Sequence, residues 1–169
     1  MVRGKEAQVA ALVYVTAAII LQCAPISPDS VGLLPGAQFY RRFTYVFFHA
    51  NWLHLAVNCW ALLSIMFLCR VNVPMLLASF AIAASYPINA LAFLYQVPVL
   101  PTLGASGLCY ALLGRLSLTV SHKLRYLLWM IPFLSLGFIF KVSNGWLHLY
   151  CYLLGVILSA LNMPVQWKR

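Results

Sequence analysis

The chain has 169 residues, 64% of them hydrophobic and 8% charged, with a formal net charge of +9. A soluble domain needs far more charge to cover its surface, so lipid is the expected solvent for most of this chain. The eleven Lys and Arg residues stand at the ends of apolar runs rather than on one polar face, which argues against nucleic acid as a partner and reads instead as membrane topology.

Six apolar runs fall at about 7–24, 46–69, 73–96, 104–120, 124–140 and 146–164, each near the roughly 20 residues a spanning helix needs. The first follows Arg3 and Lys5 and is longer than the apolar part of a secretory signal, so it reads as a membrane helix. The longest connection, 25–43, is rich in Pro, Ser and Gly yet half apolar; it is expected to lie along the membrane interface and pack on the bundle. Arg70 to Asn72 with Pro74 divides the second run from the third, and Pro98 to Pro101 the third from the fourth. His122 to Arg125 and Lys141 to Gly145 divide the rest. Pro87 and Pro132 lie inside runs and predict kinks, tolerated where neighbouring helices cover the freed backbone. The reading is an all-α polytopic membrane protein, one domain over 1–169, with six transmembrane helices and an interfacial loop between the first two.

Cys23, Cys59, Cys69, Cys109 and Cys151 all sit in apolar runs with no paired spacing, so neither a disulfide framework nor a zinc site is indicated, and no metal or cofactor is expected. Six spans put both termini on one side. Arg3, Lys5, Arg70, Arg115, Lys123, Arg125, Lys168 and Arg169 would share that side, against Arg41, Arg42 and Lys141 on the other, which predicts cytoplasmic termini.

Polar groups within a span are costly and are functional candidates by default. Four matter: His54 and Asn58 in the second run, Ser106 opening the fourth and His148 opening the sixth. With cytoplasmic termini every even-numbered helix starts at the outer face, so all four fall at similar depth in the outer third of the membrane. His54 and Asn58 are four apart on one helix face, as are Ser106 and Tyr110. Gly104 and Gly107 flank the serine and allow close approach of another helix or of a substrate backbone. On the sixth run, His148, Cys151, Gly155 and Ser159 form a ridge of small residues below the histidine, suited to pressing against the fourth. Taken singly, Ser106 is as well explained as a helix cap, His54 and Asn58 as polar glue between helices, and His148 as an interfacial residue beside Trp146. Only together do they predict a shared depth.

The chemistry narrows by elimination. No Asp or Glu lies in any run, which excludes an aspartyl pair and leaves a Ser-His-Asp triad without its acid. The HExxH zinc motif is absent. Lys141, the one lysine on Ser106's side, is in a loop. There remains a dyad of Ser106 as nucleophile and His148 as general base, with Tyr110 orienting the imidazole by stacking. The donors available to an oxyanion are His54, Asn58 and the Ser106 backbone N–H. A base in this role must be neutral near pH 7, so the rate should rise between about pH 5 and 8.

The motifs resemble the rhomboid family. Tyr40-Arg41 followed by His49, His54 and Asn58 is similar to its aromatic-Arg and HxxxxHxxxN pattern. Gly104-Ala105-Ser106-Gly107 with Tyr110 and Gly114 is similar to GxSGxxYxxxG, and His148 with Gly155 to the AHxxGxxxG of its last helix. The resemblance spans 40–155 and implies a six-helix intramembrane serine endopeptidase with Ser106 and His148 as its dyad. It further implies an oxyanion hole of His54, Asn58 and the Ser106 amide, structural roles for Tyr40 and Arg41 in the first loop, and a water-filled cavity open to the outer face. Substrates would be transmembrane segments of other proteins, cut near the outer surface. The small size is similar to the minimal bacterial form, which implies a bacterial inner membrane. Leu147 stands where the family has alanine, Tyr40 replaces the usual tryptophan, and Cys151 replaces the first glycine after the histidine, which predicts a slightly wider spacing of the fourth and sixth helices. Two alternatives stay open: an inactive relative that binds transmembrane clients, and a protease specialised for trimming C-terminal sorting helices. A channel or transporter would show repeat symmetry or intramembrane charges, and neither is present. The sequence does not fix an oligomeric state.

Overall fold

The computed structural model describes residues 5–94, 100–140 and 143–161. Of the positions singled out above, Arg3, Pro98, Lys141, Lys168 and Arg169 lie outside them, as do the ends of the third and sixth runs. The described residues form helices and no strand: α1 Lys5–Gln22, α2 Pro28–Val31, α3 Arg41–Thr44, α4 Trp52–Leu68, α5 Val73–Ala84, α6 Ser106–Leu116, α7 Lys123–Ile139 and α8 Gly145–Leu161, with 3₁₀ turns at Tyr45–Phe47 and Ala92–Leu94. One isolated antiparallel bridge joins Leu33 to Thr102.

Each of the six apolar runs holds one of the longer helices, and the caps explain where several begin. Asn51, Asn72 and Asn144 each accept a hydrogen bond from the backbone N–H three residues on, at 2.8, 2.9 and 3.0 Å, which satisfies an orphan donor of α4, α5 and α8. Two boundaries differ from the sequence reading. The second run is broken: the Arg41–Phe47 segment meets α4 at 95°, because Asn51 starts a new helix with extended backbone in the middle of an apolar stretch. The third helix ends at Ala84 rather than kinking, since Pro87 disfavours helical backbone in the residue before it and removes an N–H from the ladder. Pro132, by contrast, lies inside a continuous α7.

Among the described helices, α1 alone is long and apolar enough to cross a bilayer by itself; the bent Arg41–Phe47 and Trp52–Leu68 pair passes together, and α5 and α8 are shorter apolar helices. The centre of the bundle is α6, packed against α8, α5 and α4. One apolar cluster lies between α1, α4 and α6 around Leu62, Met66 and Leu112. Another joins Leu33, Tyr45 and Val46 of the first loop to Tyr86, Ala111, Leu147 and Cys151, so the loop is packed onto the bundle.

The contact of α6 with α8 is made through glycine. A Cβ on Gly114 would land on the Tyr152 carbonyl oxygen, and one on Gly155 on the Ala111 carbonyl oxygen. In lipid the apolar effect does not draw helices together, so such backbone-to-backbone approach is the main source of adhesion. Nearer the start of both helices, Leu147 and Cys151 fill the space opposite Gly107, with the Cys151 sulfur 3.4 Å from where a Gly107 Cβ would be. The cysteine is accommodated facing Gly107, and the tightest approach lies deeper, at Gly114 and Gly155.

Candidate active site

Ser106 is the first residue of α6, and the cap position before it is Ala105, which offers no side-chain oxygen. The serine hydroxyl is therefore not a helix cap. It faces His148, one turn into α8, with Oγ 2.8 Å from Nε2. His148 is 6% exposed, while Ser106 is half-buried. The imidazole stacks on Tyr110 with ring centroids 4.3 Å apart and planes 21° from parallel. The Tyr110 hydroxyl donates to the Phe133 carbonyl of α7 at 2.9 Å, which fixes the ring it presents. His148 Nδ1 has no hydrogen-bond partner and lies against Gly137, where a Cβ would stand 2.8 Å from it. Among the described residues no carboxylate takes the position of a third polar member; stacking and close packing hold the ring.

The segment before the serine is shaped by Gly104, at φ +95°, a backbone conformation open to glycine. A Cβ there would stand 2.9 Å from His54 Nε2, so the His54 ring lies directly against the serine's loop. The buried His49 ring packs edge-on to His54, centroids 5.2 Å apart. Asn58 is buried on the same helix, and its Nδ2 donates to the His54 carbonyl at 2.8 Å; its amide carries a second N–H. That bond lies within α4 and does not bridge to another helix. The first N–H groups of α6, which have no carbonyl partner within the helix, lie at Ser106 itself.

Tyr40 and Arg41 sit in the first loop, where the Arg41 Nη1 donates to the Asp29 carbonyl at 2.6 Å and the Tyr40 hydroxyl to the Ser30 carbonyl at 3.4 Å. Two neighbours tie this loop to the bundle: Arg42, which the sequence reading took only as a topology charge, and Tyr45, which it passed over. Arg42 donates to the Tyr86 carbonyl at 2.8 Å, just beyond the end of α5. The fully buried Tyr45 donates to the Ala83 carbonyl at 3.0 Å, and its own carbonyl accepts from Gly104 N–H at 2.9 Å, so the serine's loop hangs from the first loop. The aromatic-Arg pattern rests on Tyr40 and Arg41 and says nothing of Arg42 or Tyr45, whose roles only the fold reveals.

The rhomboid domain family model matches residues 36–164, a stretch that contains His54, Asn58, Gly104, Ser106, Gly107, Tyr110, His148 and Gly155. Comparison with curated proteins and with solved structures gave no significant match. Rhomboid proteins are integral to membranes and are generally serine proteases acting within them. The match covers well over half of the sequence, and the chain belongs to the rhomboid family.

Proposed function

We propose that this chain crosses the membrane six times and is an intramembrane serine endopeptidase that cuts transmembrane segments of other proteins near the outer face. The observation that carries the proposal is the 2.8 Å contact between Ser106 Oγ and His148 Nε2, formed between two helix starts. In the reaction, Ser106 Oγ attacks the scissile carbonyl carbon as its proton passes to His148 Nε2. The C–N bond then breaks, the imidazolium returns that proton to the leaving amine, and water hydrolyses the acyl-enzyme by the same path. The oxyanion would be met by the Ser106 amide together with His54 and Asn58, worth several kcal/mol if aligned (about 3 for a single donor). Tyr110, Gly104, Gly107 and Gly155 support this geometry. The excess of basic residues on the side of the termini, Arg70, Arg115, Lys123 and Arg125 in the loops included, supports cytoplasmic ends.

The test is to incubate purified wild type and Ser106→Ala with a labelled single-span substrate and with a fluorophosphonate probe. Wild type is expected to cleave and label, and the variant to lose both, since Ser106 Oγ is the atom that forms the covalent bond. If neither cleaves nor labels while both still bind the substrate helix, the protein is a client-binding relative. Cleavage confined to proteins with a C-terminal sorting helix would identify the trimming specialist.

A further inference from the structure

Above the Ser106–His148 pair lies a second pair with the same separation in sequence. Thr102 precedes Ser106 by four residues, and Asn144 precedes His148 by four. Asn144 Nδ2 donates to Thr102 Oγ1 at 2.8 Å. Asn144 Oδ1 at the same time accepts from Leu147 N–H at 3.0 Å, and its carbonyl accepts from His148 N–H at 3.1 Å, so this one residue caps the helix that carries the histidine. Thr102 is 8% exposed, and its backbone pairs in both directions with Leu33, at 3.0 Å from its N–H and 2.9 Å to its carbonyl. Gly32 presses on the adjacent Pro101, since a Cβ at Gly32 would collide with the proline ring. Thr102 is thus anchored from the first-loop side and offers its hydroxyl to Asn144 on the other.

We propose that the Thr102–Asn144 hydrogen bond is a clasp that sets the distance between Ser106 and His148, making both positioning residues for the dyad; this rests on the peptidase function proposed above. Below the dyad, α6 and α8 are joined at Gly114 and Gly155, a fixed point two turns or more from the reacting atoms. Nearer the dyad the two helices touch through side chains, Leu147 and Cys151 against Gly107, rather than backbone to backbone, and a small change of angle there becomes a displacement of the order of 1 Å at Ser106. A shift of that size breaks a 2.8 Å hydrogen bond and costs about a hundredfold in rate. The clasp holds this end of the pair. It acts on the distance alone, because Asn144 caps α8 through its carbonyl oxygen and holds Thr102 through its amide nitrogen.

Thr102→Val removes the hydroxyl with little change of shape and leaves the α8 cap intact. It is expected to lower kcat about 10- to 100-fold with KM within about twofold of wild type, and to slow fluorophosphonate labelling by the same factor. Thr102→Ser, which keeps the hydroxyl, is expected to restore both to within about threefold. Wild-type kcat in Thr102→Val, or a Thr102→Ser no faster than Thr102→Val, would overturn the clasp. The same variants are read independently of activity by the ¹⁵N resonances of the His148 imidazole in detergent, assigned with His148→Gln. If wild type neither cleaves nor labels, the peptidase function fails, and the clasp is decided by that spectrum alone. A shift of the Nε2 resonance in Thr102→Val, reversed in Thr102→Ser, sustains it; identical spectra overturn it.

Discussion

Helix α7 is more apolar than α6, yet α6 is the one packed closely against its neighbours. Along α6 the residues facing α8 are Gly107, Ala111 and Gly114, and at Ala111 and Gly114 backbone meets backbone. Along α7 large side chains such as Leu124, Leu128, Trp129, Ile131 and Phe133 point outward, all more than half exposed. Helix α7 is held by a few points: the Tyr110 hydroxyl on the Phe133 carbonyl, the Tyr126 hydroxyl on the Leu113 carbonyl at 2.9 Å, and the contact of Gly137 with Gly145 and His148. The difference teaches that size, not hydrophobicity, decides adhesion in lipid: small residues bring backbones together, and large ones are left to the solvent they resemble.

This contrast can be broken deliberately. Gly155→Val would force a branched side chain onto the Ala111 carbonyl, and we expect a loss of about 3 kcal/mol or more in unfolding by a denaturing detergent, with cleavage lost as well. Gly137→Ala acts at the point where α7 touches the site. Its methyl would press on His148 Nδ1 and on the Gly145 backbone, so kcat should fall about 10- to 100-fold for about 1–2 kcal/mol of stability. Leu128→Ala, on the outward face of α7, should change stability by less than about 0.5 kcal/mol and leave kcat unchanged. If Leu128→Ala proved as damaging as Gly155→Val, the outward face of α7 would be an interface and the contrast would be wrong.

What could be read from the chain follows from the same physics. Apolar runs mark the helices because lipid demands them, and the shared depth expected of Ser106 and His148 agrees with their 2.8 Å contact. The sequence reading could not see that α4 starts anew at Asn51, because apolar residues continue through the turn and only the Asn51 side chain records it. It placed the end of the third helix too late, treating Pro87 as a kink where Ser85 already caps the helix and the Tyr86 N–H pairs only three residues back, with Ala83. Arg42, Tyr45, Thr102 and Asn144 were illegible for another reason. Each acts through a contact with a residue tens of positions away, and neither periodicity nor motif spacing carries such pairings.

The glycine contact between α6 and α8 is made by main-chain atoms alone, and it contains nothing that titrates. Changes of acidity or ionic strength act on charges and have no purchase on a carbonyl resting on a Cα. The joint should hold with the same strength from mildly acid to alkaline solution, whatever proton the imidazole at its upper end passes during the reaction. Chemistry that responds to pH is thereby mounted on a frame that does not.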